Sequence, residues 1–284
     1  MTAPGPMSPT RTTMIDGVGL YAEIFTPADP PRGVVVITHG YAEHCGRYHE
    51  VAHVIVNAGW AAISYDVRGH GRSPGPRGYI DRFQTYLDDL AAVHEVARTL
   101  VPAAAPTVML GHSNGSLITL RALAGDRAPK AVAAIVSGPF LALKLAVPRA
   151  QLWLAKIGSV LAPKLAQPNH LRVEDLTHDK AMQEARIKDT VCFDIATPRW
   201  FTEALAAQHF VADHAKRIAI PTTWLVGADD PIADPAQSER VAGTVPGAQL
   251  HMLAGFRHEV FNEVDRARPF GEVEKTLAAC SAAI

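Results

Sequence analysis

Cysteine is scarce in this chain of 284 residues: Cys45, Cys192 and Cys280 are all there is. An odd number, widely spaced and without a C-x-x-C pair, excludes a disulfide framework and a cysteine-built zinc site, and it fits a reducing compartment. Long apolar runs are missing too. The longest, Ala131–Val136, is six residues, far short of the ~20 that cross a bilayer. Met1–Thr13 is rich in proline and threonine and lacks an apolar stretch, so no secretory signal is read there. Neither sign of charge dominates. The 27 basic and 28 acidic residues leave a net charge of −1, which gives no whole-chain field to hold nucleic acid. Hydrophobic residues at 48% against 19% charged exclude a disordered polyelectrolyte. The expectation is a soluble, cytoplasmic, globular protein with no nucleic-acid partner.

Short β-branched runs alternate with longer helical stretches. Leu20–Thr26, Val34–Thr38, Ala61–Tyr65, Thr107–Gly111, Ala131–Ser137, Thr222–Gly227 and Gln249–Leu253 read as strands. Several, such as Val34-Val35-Val36-Ile37, show no in/out alternation, the pattern of parallel strands covered on both faces by helices. Tyr48–Ala58, Phe83–Leu100, Ser113–Ala124, Pro235–Val245 and Pro269–Ala279 read as helices. The alternation implies an α/β fold with a mostly parallel, doubly wound sheet. Between Pro139 and about Lys216 no strand is read. The expected organisation is a loose tail over 1–13, a core built from 14–138 and 210–284, and a helical lid inserted at 139–209.

Gly111-His112-Ser113-Asn114-Gly115 matches G-x-S-x-G. A nucleophilic serine on this spelling stands on a sharp strand-to-helix turn, and the glycines let strand and helix approach around it. The context agrees, since Thr107–Leu110 precedes as a strand and Leu117–Leu123 follows as a helix. A serine hydroxyl needs a base and an orienting carboxylate, and in this fold they follow in the order acid, then histidine. After one late strand come Asp229, Asp230 and Asp234, all candidates by spacing. After the last strand comes His258.

Together these residues resemble a family. His39-Gly40-Tyr41-Ala42-Glu43-His44-Cys45-Gly46-Arg47-Tyr48, Asp66-Val67-Arg68-Gly69-His70-Gly71-Arg72-Ser73, the Gly111–Gly115 elbow and the loops beginning at Gly227 and Gly255 are similar to segments of monoacylglycerol lipases and bacterial lysophospholipase-like serine α/β-hydrolases. The resemblance implies an α/β-hydrolase fold with an inserted lid. It implies Ser113 as nucleophile, His258 as base and, through the family's G-x-x-D loop, Asp230 as the acid. Backbone N–H groups of Tyr41 and Asn114 would form the oxyanion hole. No cofactor or metal is implied, and the substrate would be a small acyl ester or lipid. Two departures stand out. Asn114 replaces the family's usual methionine and is followed by Gly115-Ser116 rather than a glycine pair. Tyr41 is bulkier than the small residue often found there.

Other readings compete. The same triad serves acyltransferases and small amide or peptide hydrolases, and a non-catalytic binder can retain the fold. His49-Glu50-Val51-Ala52-His53 spells H-E-x-x-H, but Val56 and Gly59 stand where the extended zinc motif has Gly and His. The lid carries a further pattern. Between Asp126 and Glu174 lie seven basic residues and no acidic one. Trp153, Ile157, Val160 and Leu161 share one helical face, expected to roof the acyl pocket and, more sharply, to dock on lipid aggregates.

Overall fold

The computed structural model describes residues 8–145 and 147–282. Its main sheet has eight strands in the order β1-β2-β4-β3-β5-β6-β9-β10. They are β1 (Arg11–Ile15), β2 (Leu20–Phe25), β3 (Val34–Thr38), β4 (Ala61–Tyr65), β5 (Thr107–His112), β6 (Ala133–Ser137), β9 (Thr222–Gly227) and β10 (Ala248–Leu253). The six strands from β4 to β10 run parallel, while β1 and β2 add antiparallel at one edge. The uniform apolar character of β3 follows from this placement. Val34 and Val36 enter one hydrophobic core, with Leu90, Leu117 and Trp224. Val35 and Ile37 enter a second core on the opposite face, with Val51, Ile55 and Phe270. Helices α2 (Gln84–Arg98), α3 (Asn114–Leu123), α7 (Pro198–His214) and α8 (Pro235–Ala242) contribute buried residues to the first core. Helices α1 (His49–Asn57) and α9 (Ala267–Ala282) contribute theirs to the second.

Between β6 and α7 run α4 (Arg149–Leu161), α5 (Val173–Leu176) and α6 (Lys180–Lys188), with a two-stranded ribbon, β7 (Gln167–Pro168) and β8 (Ile195–Ala196). Among the described residues no helix is long and apolar enough to cross a membrane.

Three expectations are corrected. The loose tail over 1–13 gives way at Arg11, because Arg11–Ile15 pairs antiparallel with β2. Its polar spelling, Arg-Thr-Thr-Met-Ile, is that of an edge strand with little of it covered, since only Ile15 is buried. The stretch read as strand-free holds the ribbon β7–β8, too short for a sequence pattern. The expected boundary at 209/210 falls inside α7, a continuous helix. Thr197 caps it by accepting from Trp200 N, and Pro198 pre-sets its first turn. Its Trp200, Ala204, Ala207 and Val211 belong to the core, so the helix leaving the inserted segment is itself core structure.

Helix α3 lies unusually close to the sheet. A Cβ on Gly115 would run into the carbonyl oxygens of Thr38 and His39 at the end of β3. Backbone cannot yield as a side chain does, so Gly115→Ala should cost at least about 3 kcal/mol, the upper range for overpacking. At Gly243 the backbone is αR and an added Cβ would find ordinary contacts of 3.4 and 3.5 Å. There Gly→Ala should be neutral or stabilise by about 0.4–1 kcal/mol through the unfolded chain. Urea unfolding of the two variants checks the contrast, and equal effects would refute it.

Candidate active site

Strand β5 ends at His112, and the next residue turns sharply into α3. Ser113 has φ 50° and ψ −116°, a region that non-glycine residues occupy only where surroundings enforce it. Here its N–H donates to Ser137 O (2.9 Å), and its carbonyl accepts from Leu117 N (3.1 Å) and Phe140 N (3.2 Å). The side chain is thereby held out at the carboxyl end of the sheet.

The loops after β9 and β10 reach the same point. Ser113 Oγ donates to His258 Nε2 (2.8 Å), and His258 Nδ1 donates to Asp230 Oδ2 (2.7 Å). Asp230 Oδ1 accepts from Ile232 N (2.8 Å) and Ala233 N (3.0 Å), which fixes the carboxylate. The three acids separate clearly. Asp229 is exposed, Asp234 caps α8, and Asp230 is buried against the histidine. Burial opposes protonation of His258, but Asp230's charge and hydrogen bond, with Glu259 and Glu43 farther off, outweigh it. The imidazole therefore titrates above its ordinary value. His112, facing the same space, stays neutral: burial and the nearby His258 push it down to about 4, and its Nδ1 meets Ser137 Oγ at 2.9 Å.

The loop after β3 carries Tyr41. Gly40 N donates to Glu43 Oε1 (2.5 Å), whereas the N–H groups of Tyr41 and Asn114 meet no protein acceptor among the described residues. Both belong to residues next to the site in the chain: Asn114 follows the serine, and Tyr41 follows Gly40, where an added Cβ would lie 3.2 Å from Ser113 Cβ. Glu43 also accepts from Tyr48 Oη (2.7 Å) and Arg47 Nη1 (2.9 Å). Arg47 reaches on to Glu259 with a bidentate pair at 2.6 and 2.8 Å. Burial disfavours the charged form of Glu43, yet Arg47 beside it brings its pKa down to about 2. This buried triad, and the role of Arg47 in joining two loops, was not read from the sequence. The G-x-x-E-x-x-x-R spelling gave the residues but not their partner 212 positions away.

The serine, histidine, Glu43 and Tyr41 open onto a cavity of about 700 Å³ walled by Phe140, Leu143, Leu154, Leu176, Trp200 and Ile232, among others. Residues predicted to roof it do not. Trp153, Val160 and Leu161 are 64%, 73% and 79% exposed, and Ile157, half-buried, is not in the wall. Helix α4 is rotated so that Gln151, Leu154, Ala155 and Gly158 face the cavity. Small residues decide this azimuth. Gly158 sits against Pro198, and Ser159 bonds Thr202 Oγ1 at 2.8 Å, so the close approach to α7 falls on the side without bulk.

A profile described as serine aminopeptidase, S33, matches residues 29–265. The chain is 33% identical over 275 residues to a monoacylglycerol lipase of Mycolicibacterium smegmatis, covering 93% of this chain and 95% of that one. The chain belongs to this family, as a monoacylglycerol lipase-like α/β-hydrolase. Phospholipase YtpA of Bacillus subtilis is 29% identical over 249 residues, 86% of this chain and 94% of that protein. The crystal structure of Paleococcus ferrophilus monoacylglycerol lipase aligns with TM-score 0.83 at 26% identity, over 92% of this chain and 99% of that one. A yeast monoglyceride lipase bound to a substrate analog shares the fold, with TM-score 0.85 at 22% identity over 99% and 98%. The protein is thus an α/β-hydrolase enzyme of the serine hydrolase class.

The metal spelling in α1 has other uses in this hydrolase. His49 Nε2 meets Glu23 Oε2 at 2.7 Å, and Glu50 holds Arg266 at 2.7 Å. Three potential ligands do gather elsewhere, His44, Asp189 and Cys192, within 4.8 Å. His44 spends one ring nitrogen on Asp189 (2.7 Å), and the other accepts from Gly46 N (3.2 Å), which leaves the ring no free lone pair.

The raised His258 pKa fixes a pH dependence. Only neutral imidazole can accept the serine proton, so kcat/KM should rise with pH, with a midpoint above the ~6.5 of unperturbed histidine. A pH profile on a soluble ester checks this; a midpoint at or below that value would contradict the Asp230 contact.

Proposed function

We propose that the protein hydrolyses carboxylic esters of lipids, of the monoacylglycerol or lysophospholipid class, through an acyl-enzyme. The observation that carries the reading is the unbroken Asp230–His258–Ser113 relay at the floor of a largely apolar cavity. Ser113 Oγ attacks the ester carbonyl carbon as His258 Nε2 takes its proton. The oxyanion that forms is met by the Tyr41 and Asn114 N–H groups, which cost nothing to reorganise because they are already unpaired. Collapse breaks the C–O bond, and the imidazolium protonates the departing alcohol. Water then repeats the sequence on the acyl-serine, and the acid leaves. The names of the relatives, a monoacylglycerol lipase and a phospholipase, support a lipid ester.

The family description names an aminopeptidase, but that chemistry needs a carboxylate for the substrate ammonium. The acidic residues in the cavity wall are Glu43 and Glu259, and both are bound to Arg47. Ester cleavage is favoured for that reason. The three cysteines are free thiols, consistent with a cytoplasmic setting.

Ser113→Ala should lower hydrolysis by on the order of 10⁴–10⁶ while the protein still folds. Asp230→Asn should be far more damaging than Asp229→Asn. A panel of monoacylglycerols, lysophospholipids, graded p-nitrophenyl esters and aminoacyl amides tests both. A tenth of wild-type activity in the alanine variant, or faster amide than ester cleavage, would overturn the reading.

We further propose that the segment from Pro139 to Thr197 acts as a lid that meets lipid aggregates. Leu145, Trp153, Val160 and Leu161 are all exposed and lie outside the cavity wall, and Lys156 among them has no carboxylate partner among the described residues. An apolar patch with cations among it suits an anionic interface. Cosedimentation with anionic vesicles should exceed that with neutral ones and fade with salt. Lys156→Glu should weaken it while sparing hydrolysis of a soluble ester. Equal binding to both vesicles would remove this part of the proposal.

A further inference from the structure

The oxyanion loop is held from two sides. On the core side, Gly40 N is fixed by Glu43. On the lid side, the contacts converge on the next two residues. Tyr41 Oη donates to Ile195 O in β8 at 2.7 Å. Its ring stacks on Trp200 at 3.7 Å and meets Phe193 and His70 edge-on at 5.5 and 5.4 Å. Ala42 follows in the left-handed region, φ 63°, where an alanine stays only under constraint. Its carbonyl accepts from Phe193 N (3.2 Å) and from Arg186 Nη2 (3.2 Å). The strand β8 is in turn moored to the core loop at Gly78, whose carbonyl accepts from Thr197 N (3.2 Å) and Thr197 Oγ1 (2.7 Å).

Tyr41 therefore follows a glycine that lies against the serine, and its side chain is held between β8 of the inserted segment and Trp200 of α7. We infer that the Tyr41 side chain is a positioning residue: through its hydroxyl bond to Ile195 and the neighbouring Ala42–Phe193–Arg186 contacts, the lid strand sets the orientation of the oxyanion donor. The inference rests on the proposed role of the Tyr41 N–H and deepens it, because it makes the lid part of the catalytic geometry as well as a cover for the cavity. The chemistry predicts where the effect appears. An oxyanion donor acts on charge that exists only in the transition state, so a misaligned donor lowers kcat and leaves ground-state binding alone. A tyrosine that merely walled the cavity would instead change KM, most for long acyl chains.

Tyr41→Phe keeps the ring and its stacking and removes only the hydroxyl. On a soluble short-chain ester, kcat should fall by about 5- to 20-fold, short of the 10²–10³ lost when a donor is deleted outright. KM and the thermal midpoint should stay close to wild type. Affinity for a boronic acid, which forms a tetrahedral anionic adduct on the serine, should fall in step with kcat. Arg186→Met should show the same kcat-weighted loss, and the double variant should lose less than the product of the two, as expected for residues acting on one peptide. Unchanged kcat and boronate affinity in Tyr41→Phe would overturn the inference. So would a loss that appears in KM or thermal midpoint with boronate affinity intact. If the wild-type enzyme neither binds the boronate nor reacts with a fluorophosphonate at Ser113, the proposed mechanism itself fails, and the role of Tyr41 with it.

Discussion

The Arg47 guanidinium holds together parts of the site that the sheet cannot. β3 and β10 lie four places apart in the sheet order, and their loops are fixed by hydrogen-bonded strands only at the roots. Arg47 bridges them, with Glu43 on the loop after β3 at one end and Glu259, next to His258, at the other. All three side chains are largely buried. Burying such ions brings little net stability, but removing one partner strands the others at a cost of about 3–5 kcal/mol. The triad therefore contributes more to geometry than to the free energy of folding. It fixes the distance between the loop that carries Tyr41 and the loop that carries His258.

Strain is concentrated where the chemistry is. Among the described residues, three non-glycine residues have positive φ: Ala42, Ser113 and His170. One of them is the serine of the elbow itself, and another, Ala42, lies on the loop after β3 that opens onto the same cavity. Each is pinned by carbonyl and amide partners in a neighbouring element, Ser137 for the serine and Phe193 for the alanine. A left-handed L-residue costs on the order of 1–2 kcal/mol, which the packed sheet offsets. Asn114 adds a further charge against stability. Its side-chain amide is buried, and neither Oδ1 nor Nδ2 has a protein partner, where a methionine would bury no polar atom. The turn into α3 thus combines a positive φ at Ser113 with an unpartnered buried amide at Asn114.

Much of this was legible in the sequence, for a physical reason. Strands buried on both faces admit few residue types, so Val34–Thr38, Ala61–Tyr65 and Thr222–Gly227 were read with the bounds the structure gives. The elbow glycines are compelled by backbone contact, and a compelled residue is a readable one. The serine was legible in the elbow spelling between a strand and a helix, and the histidine in the chain order. The acid needed the family resemblance, since spacing alone allowed Asp229, Asp230 and Asp234, and what distinguishes them is burial. What could not be read is pairing across long separations. Nothing local marks Tyr41 as a partner of Ile195, or Arg47 as a partner of Glu259, because each half of such a contact is an ordinary residue in its own segment.

The azimuth of α4 belongs to the same category and explains the one group of site residues that was misplaced. Periodicity defines faces on a helix but not which neighbour each face meets. In α4 the bulky residues Trp153, Val160 and Leu161 were assigned inward on the usual premise that large apolar groups are buried. The neighbouring helix selected otherwise, because α7 approaches closely only where Ala155, Gly158 and Ser159 leave room. Because α4 lies at the surface, packed on α7 on one side, its apolar side chains on two sides are not all covered. One side, through Leu154 and Ala155, walls the cavity, and the other stands in water. The inserted segment therefore has two apolar surfaces separated by one helix diameter, and β8, at the far end of the same segment, accepts a hydrogen bond from Tyr41 Oη. Helix α4 packs on α7, and Trp200 of α7 stacks on Tyr41, so packed side chains join α4 to the loop after β3.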